Sequence, residues 1–142
     1  MGFLLIFLVS AVLGVGFLLF SVGVTVLIET PVIVRRGVTG NKKYIRAVNT
    51  LTNVIFNMVL TGILVIGGFP LTPATVTVIA VAWYALAELI AIPVFEAYAY
   101  KKISSLEWKK ILISTYIANF LSCAVGILLD GLIFVIFFWG RL

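Results

Sequence analysis

Long apolar runs dominate the chain, broken at only three places. The runs from about Phe3 to Val34, Ala47 to Gly67, Ala74 to Tyr100 and Trp108 to Trp139 each suffice to cross the hydrocarbon of a bilayer, which takes about 20 helical residues. Strict polar/apolar alternation, the mark of a barrel strand, is missing, so run length predicts helices. The breaks are a basic stretch from Arg35 to Arg46, the turn Gly67-Gly68-Phe69-Pro70-Leu71-Thr72-Pro73, and a second basic stretch from Lys101 to Lys110. Glycine and proline stop one helix and start the next at the middle break. The expected fold is all-α: a polytopic membrane protein with four transmembrane helices in a bundle, forming a single domain over residues 1–142.

The polar positions inside these runs recur at helical spacing. They form stripes at Ser10, Gly14, Ser21, Thr25 and Glu29, then Thr50, Asn53, Asn57 and Thr61, then Thr77, Tyr84, Glu88 and Glu96, then Thr115, Asn119, Ser122, Gly126 and Asp130. Lipid offers polar side chains no partners, so the stripes are expected to face the bundle interior. Glu29 lies six residues before Arg35, Glu96 five before Lys101, Asn53 seven past Arg46 and Asn119 nine past Lys110. All four therefore fall at one depth, roughly 7–14 Å inside the basic boundary. Glu88 lies deeper, about two turns from Glu96, and Asp130 reaches the other interface. Pro31 and Pro93 cannot donate to the carbonyls of Leu27 and Leu89, which leaves free acceptors close to acidic residues.

The pattern also suggests an internal repeat. Glu29, a basic loop and Asn53 are followed by Glu96, a basic loop and Asn119, with Glu-to-Asn separations of 24 and 23 residues. Two units of about 3–67 and 74–139 with equal topology make this a parallel 2+2 repeat. The strings Asn49-Thr50-Leu51-Thr52-Asn53-Val54-Ile55-Phe56-Asn57 and Phe95-Glu96-Ala97-Tyr98-Ala99-Tyr100, with the stretch from Ser114 through Asn119 and Ser122 to Gly126, carry a resemblance. Over about half the chain the sequence resembles small, uncharacterised prokaryotic four-helix membrane proteins. The resemblance implies a multi-pass protein of the prokaryotic cytoplasmic (inner) membrane and brings no activity with it.

Composition changes this picture little. The chain is 63% hydrophobic and 11% charged, with a mean hydropathy of +1.28, whereas soluble domains carry roughly a quarter charged residues. A net charge of +5 is the sort of excess that nucleic-acid binders show, but its placement points elsewhere. Arg35, Arg36, Lys42, Lys43 and Arg46 lie in one loop, and Lys101, Lys102, Lys109 and Lys110 in or beside the other. Such clusters mark cytoplasmic loops and contact anionic lipid headgroups, which places both termini outside and argues against a nucleic-acid partner. The opening segment lacks the basic start of a signal peptide, and Ile6 stands where myristoylation wants Ser or Thr. With no histidine and a single cysteine, Cys123, neither an intrachain disulfide nor Cys-His zinc spacing is available, and no cofactor is indicated.

Three functions fit these residues. In the first, Glu29, Glu88, Glu96, Asn53, Asn57, Asn119 and Ser122 form a layer that binds a cation, proton or small amine in a small carrier or channel element, working as a homo-oligomer or beside a partner membrane subunit. In the second, the chain is an accessory subunit of a larger membrane complex and the same residues are packing contacts. There the Asn side chains bond between helices, and Glu29 and Glu96 pair with Arg35, Arg36, Lys101 or Lys102. An intramembrane enzyme ranks last, because no nucleophile, histidine or paired-Asp motif accompanies the carboxylates.

Overall fold

The structure, a computed structural model, describes residues 2–67 and 72–139. Its elements are α1 (Gly2–Arg35), α2 (Lys42–Gly67), α3 (Pro73–Leu86), a single π-turn (Ala87–Ala91), α4 (Ile92–Lys101) and α5 (Trp108–Trp139). The expected all-α fold is observed, with four helical rods once α3, the π-turn and α4 are taken as one. Two rather than four of them are long and apolar enough to cross a membrane among the described residues, at Leu18–Arg35 and Trp108–Leu129. Residues 68–71 of the middle turn and Arg141 lie outside the described residues. So do the side chains of Ser10, Gly14, Thr61, Thr77, Tyr84 and Asp130.

Local chemistry explains the helix ends. Gly37 adopts a left-handed φ of 71°, the conformation that glycine takes without steric cost. The Gly37 amide donates to Val34 O (3.0 Å) and the Val38 amide to Ile33 O (3.2 Å), which is the Schellman closure of α1. Its hydrophobic clasp is present too, since Val38 and Ile33 are both buried in one cluster. Asn41 then caps α2, its Oδ1 accepting from the Tyr44 amide at 3.1 Å, as an N-cap side chain should. Thr72 does the same for α3 through the Thr75 amide at 3.3 Å, with Pro73 at the first helical position.

The π-turn has a cause in Pro93. A proline ring clashes with the carbonyl four residues earlier and supplies no N–H to it. Here the ladder widens, and the Ile92 amide bonds to the Ala87 carbonyl five residues back.

α1 packs on α2 and α5, and α4 packs on the same two helices. α1 and α4 therefore face each other across the bundle. Both basic loops lie at the same end. There Arg36 Nε donates to Ser114 Oγ (2.9 Å), and Tyr44 OH donates to the Ala99 carbonyl (3.0 Å). Ile33, Val38, Ile45, Ala97, Tyr100, Ile111 and Ala118 form the core of this end. Elsewhere the molecule is inverted relative to a soluble protein. Among the described residues ten polar side chains are buried against ten apolar ones, while Leu27 is 74% and Leu128 72% exposed. Soluble interiors bury few polar groups, so this distribution suits an apolar surrounding.

Candidate functional site

Immediately above the apolar core, the polar stripes of α1, α2, α4 and α5 converge. Glu29 and Glu96 are both fully buried, and their carboxyl groups meet across the α1–α4 diagonal, close enough to interact by charge. Each has neutral donors around it. Ser122 Oγ donates to Glu29 Oε1 at 2.7 Å. Asn119 Nδ2 donates to Glu96 Oε2 at 2.8 Å, and Thr52 Oγ1 to Glu96 Oε1 at 3.0 Å. The Thr52 hydroxyl also has the Val48 carbonyl within 3.0 Å, and its single hydrogen serves one acceptor at a time.

A second tier holds these donors in place. Asn119 Nδ2 spends its other hydrogen on the Thr115 carbonyl (3.0 Å). The Thr115 hydroxyl reaches the carbonyl of Pro93 at 3.0 Å. Tyr100 OH donates to Asn49 Oδ1, and Asn53 Nδ2 bonds to the Asn49 backbone carbonyl at 3.0 Å. This tier joins α2, α4 and α5.

The site has more acceptors than donors. Glu29 Oε2 and Asn119 Oδ1, both acceptors, are buried with no hydrogen-bond partner, as are the Thr30 hydroxyl, which can donate or accept, and the donor Asn49 Nδ2. Among the described residues no Lys or Arg makes a hydrogen bond or ion pair with either carboxyl. Of the four cations expected to pair with them, three are occupied elsewhere, Arg36 on Ser114, Lys101 Nζ on the Leu106 carbonyl (2.8 Å) and Lys102 over the Tyr98 ring (5.1 Å), and Arg35 is exposed at the end of α1. Two buried carboxyls without a counter-ion are costly unless a proton or cation lies between them. Among the described residues no group of three or more His, Cys, Asp or Glu side chains is placed to hold a metal ion.

Of the residues singled out in the sequence, Glu29, Glu96, Asn119 and Ser122 are brought together. Asn53 is buried beside them but bonds to its own helix, as does Asn57, whose Nδ2 reaches the Asn53 carbonyl at 2.8 Å. Glu88 sits half-buried on the π-turn, near enough to act electrostatically on both Glu29 and Glu96. Thr50, expected on the inward face, is exposed instead. The inward face of α2 runs through Ile45, Asn49, Asn53 and Leu60, and Thr50 is one residue off it, about 100° around the helix. Three contributors were missed in the sequence: Asn49, Thr52 and Tyr100. Asn49 stands four residues before Asn53 and so carried a usable signal. The freed carbonyls also differ from expectation. Pro31 and Leu27 are exposed on the outer side of α1, and Pro93 contributes its own carbonyl to Thr115. The Glu-to-Asn pairing is not two-fold either, since Glu96 takes Asn119 whereas Glu29 takes Ser122.

No protein-family model matches the sequence, and no curated protein or solved structure is similar to it.

Proposed function

We propose that the Glu29–Glu96 pair binds a proton in exchange for a small monovalent cation or amine, and that the chain is a small carrier or channel element of a prokaryotic cytoplasmic membrane. In this reading the chain crosses the bilayer four times, with both basic loops on the cytoplasmic side and both termini outside. The observation that carries the site is the pair of buried carboxyls with Glu29 Oε2 and Asn119 Oδ1 unpartnered and, among the described residues, no basic group paired with them. A ring of oxygens without imidazole or thiolate suits hard cations and ammonium groups. With fewer than three strong ligands together, monovalent ions are favoured over a tightly held divalent metal. Glu88, about two turns deeper, is the next carboxyl along the same rod.

An accessory-subunit role is the second reading. What favours it is that the same hydrogen bonds tie α1 to α5, α4 to α5 and α2 to α4, so the cluster also works as interhelical packing. A titration separates the two. Purified protein in nanodiscs receives sodium, potassium, ammonium or methylammonium chloride while a pH indicator records released protons. Saturable binding of one cation with release of about one proton, lost in Glu29→Gln and Glu96→Gln, supports the carrier reading. Folded protein that binds none of them overturns it and leaves the accessory role.

A further inference from the structure

On the outer side of α1, away from the carboxyl pair, Gly23, Leu27, Pro31 and Val34 follow one another at helical spacing and wall a groove of about 700 Å³. Its end is rimmed by Arg35, Lys42 and Arg46. We propose that this groove is a discrete binding site for one anionic phospholipid, with an acyl chain along the α1 wall and the phosphate held by Arg35, Lys42 and Arg46. The inference stands apart from the cation-site reading and does not need it.

Three observations carry it. The first is charge: among the described residues none of the three rim cations makes a hydrogen bond or ion pair with the protein. By contrast Arg36, Lys101 and Lys102 at the same end are engaged by Ser114, Leu106 and Tyr98. The cations thus stand unneutralised at the mouth of an apolar trough, beside the positive N-terminal end of α2. The second is length. Gly23 to Arg35 spans about 18 Å of helix, close to the roughly 15 Å hydrocarbon depth of one leaflet. The third is shape. Gly23 leaves the far end of the trough open, with nothing within 4 Å of where a Cβ would stand. An anion with a chain attached matches a groove with both parts, whereas free phosphate uses only the rim.

Delipidated protein in detergent is titrated with phosphatidylglycerol, phosphatidylcholine, glycerol phosphate and inorganic phosphate, and bound ligand is counted by native mass spectrometry. The expected result is one phosphatidylglycerol held at least about tenfold more tightly than the other three. Replacing Arg35, Lys42 and Arg46 by Gln weakens it by about fivefold per charge removed. Removing the same charge through Lys102→Gln, Lys109→Gln and Lys110→Gln changes it less than about twofold. Gly23→Leu, whose Cβ meets no protein atom within 4 Å, puts a side chain into the far end of the trough and weakens the lipid with every charge intact. Equal loss in both triple variants, or glycerol phosphate binding as tightly as the lipid, or no effect of Gly23→Leu, overturns the proposal. So does the absence of saturable phosphatidylglycerol binding.

Discussion

Glu29→Gln should make the protein more stable while abolishing its response to cations. In the wild type Glu29 Oε1 takes the Ser122 hydroxyl at 2.7 Å, and Oε2 is buried without a donor. Glutamine keeps an oxygen for Ser122 and puts an amide N–H₂ where Oε2 stands, a donor that can turn to the neighbouring Glu96 carboxyl. An unsatisfied buried acceptor costs about 1–3 kcal/mol, and the substitution removes that cost together with one of two like charges. For a chain of this length about 1 kcal/mol moves the midpoint by roughly 3 °C, so a rise of about 3–9 °C is expected. Glu29→Ala, in contrast, empties the site and leaves Ser122 without its acceptor, and should lose about 2–5 kcal/mol. Helical circular dichroism during heating in detergent, with and without each cation, reads both quantities. A fall in the midpoint for Glu29→Gln, or a cation-induced shift that survives it, would refute the reasoning.

Other substitutions probe the surroundings of the pair. Tyr100→Phe removes the only donor to Asn49 Oδ1 among the described residues and leaves that buried carboxamide without a side-chain partner there, at a cost of about 1–3 kcal/mol in thermal unfolding. Thr52→Val deletes a bond to Glu96 and should cost about 1 kcal/mol, whereas Thr50→Val, two residues away and exposed, should stay within about 0.5 kcal/mol. The two side by side in one melting series check the rotation of α2. Gly37→Ala meets no neighbour within 4 Å yet must hold φ at +71°, so its cost of about 1–2 kcal/mol is backbone strain alone. It should appear as faster proteolysis of the Arg36–Asn41 loop.

How much of this was legible in the sequence differs from level to level. The last helix spans Trp108–Trp139 in both sequence and structure, because an aromatic residue and a loop charge bracket an unbroken apolar run. Counting from the loops put Glu29, Glu96, Asn53 and Asn119 at one level along their helices, and all four are buried, with Glu96 bonded to Asn119 and Asn53 to its own helix. Periodicity says which residues share a face, however, and nothing about which faces oppose. That α1 and α4 lie across the diagonal, so that Glu29 meets Glu96 and takes Ser122 instead of Asn53, is a property of helix order in space. Thr52 escaped for a related reason, since it reaches the site from the flank of α2, off a stripe drawn through Thr50 and Asn53. Tyr100 carried a usable signal, four residues past Glu96 on the same face of α4. The groove on α1 was equally hidden, because its rim comes from two helices.

The π-turn at Ala87–Ala91 sets the phase of the helix that contains it. Glu88 precedes Glu96 by eight residues, which on an unbroken α-helix leaves the two about 80° apart around the axis. A turn that takes up one extra residue returns them to within about 20°, so both carboxyls lie along one side of the rod. The rod thus carries a spare residue. With all its residues kept and wound as regular α-helix, the same segment would turn α3 about a quarter of the way around relative to α4. Glu88 would swing away while Glu96 and everything after it stayed put. Three acidic groups on two helices are in this way kept in line by an irregularity that ends two residues before a proline.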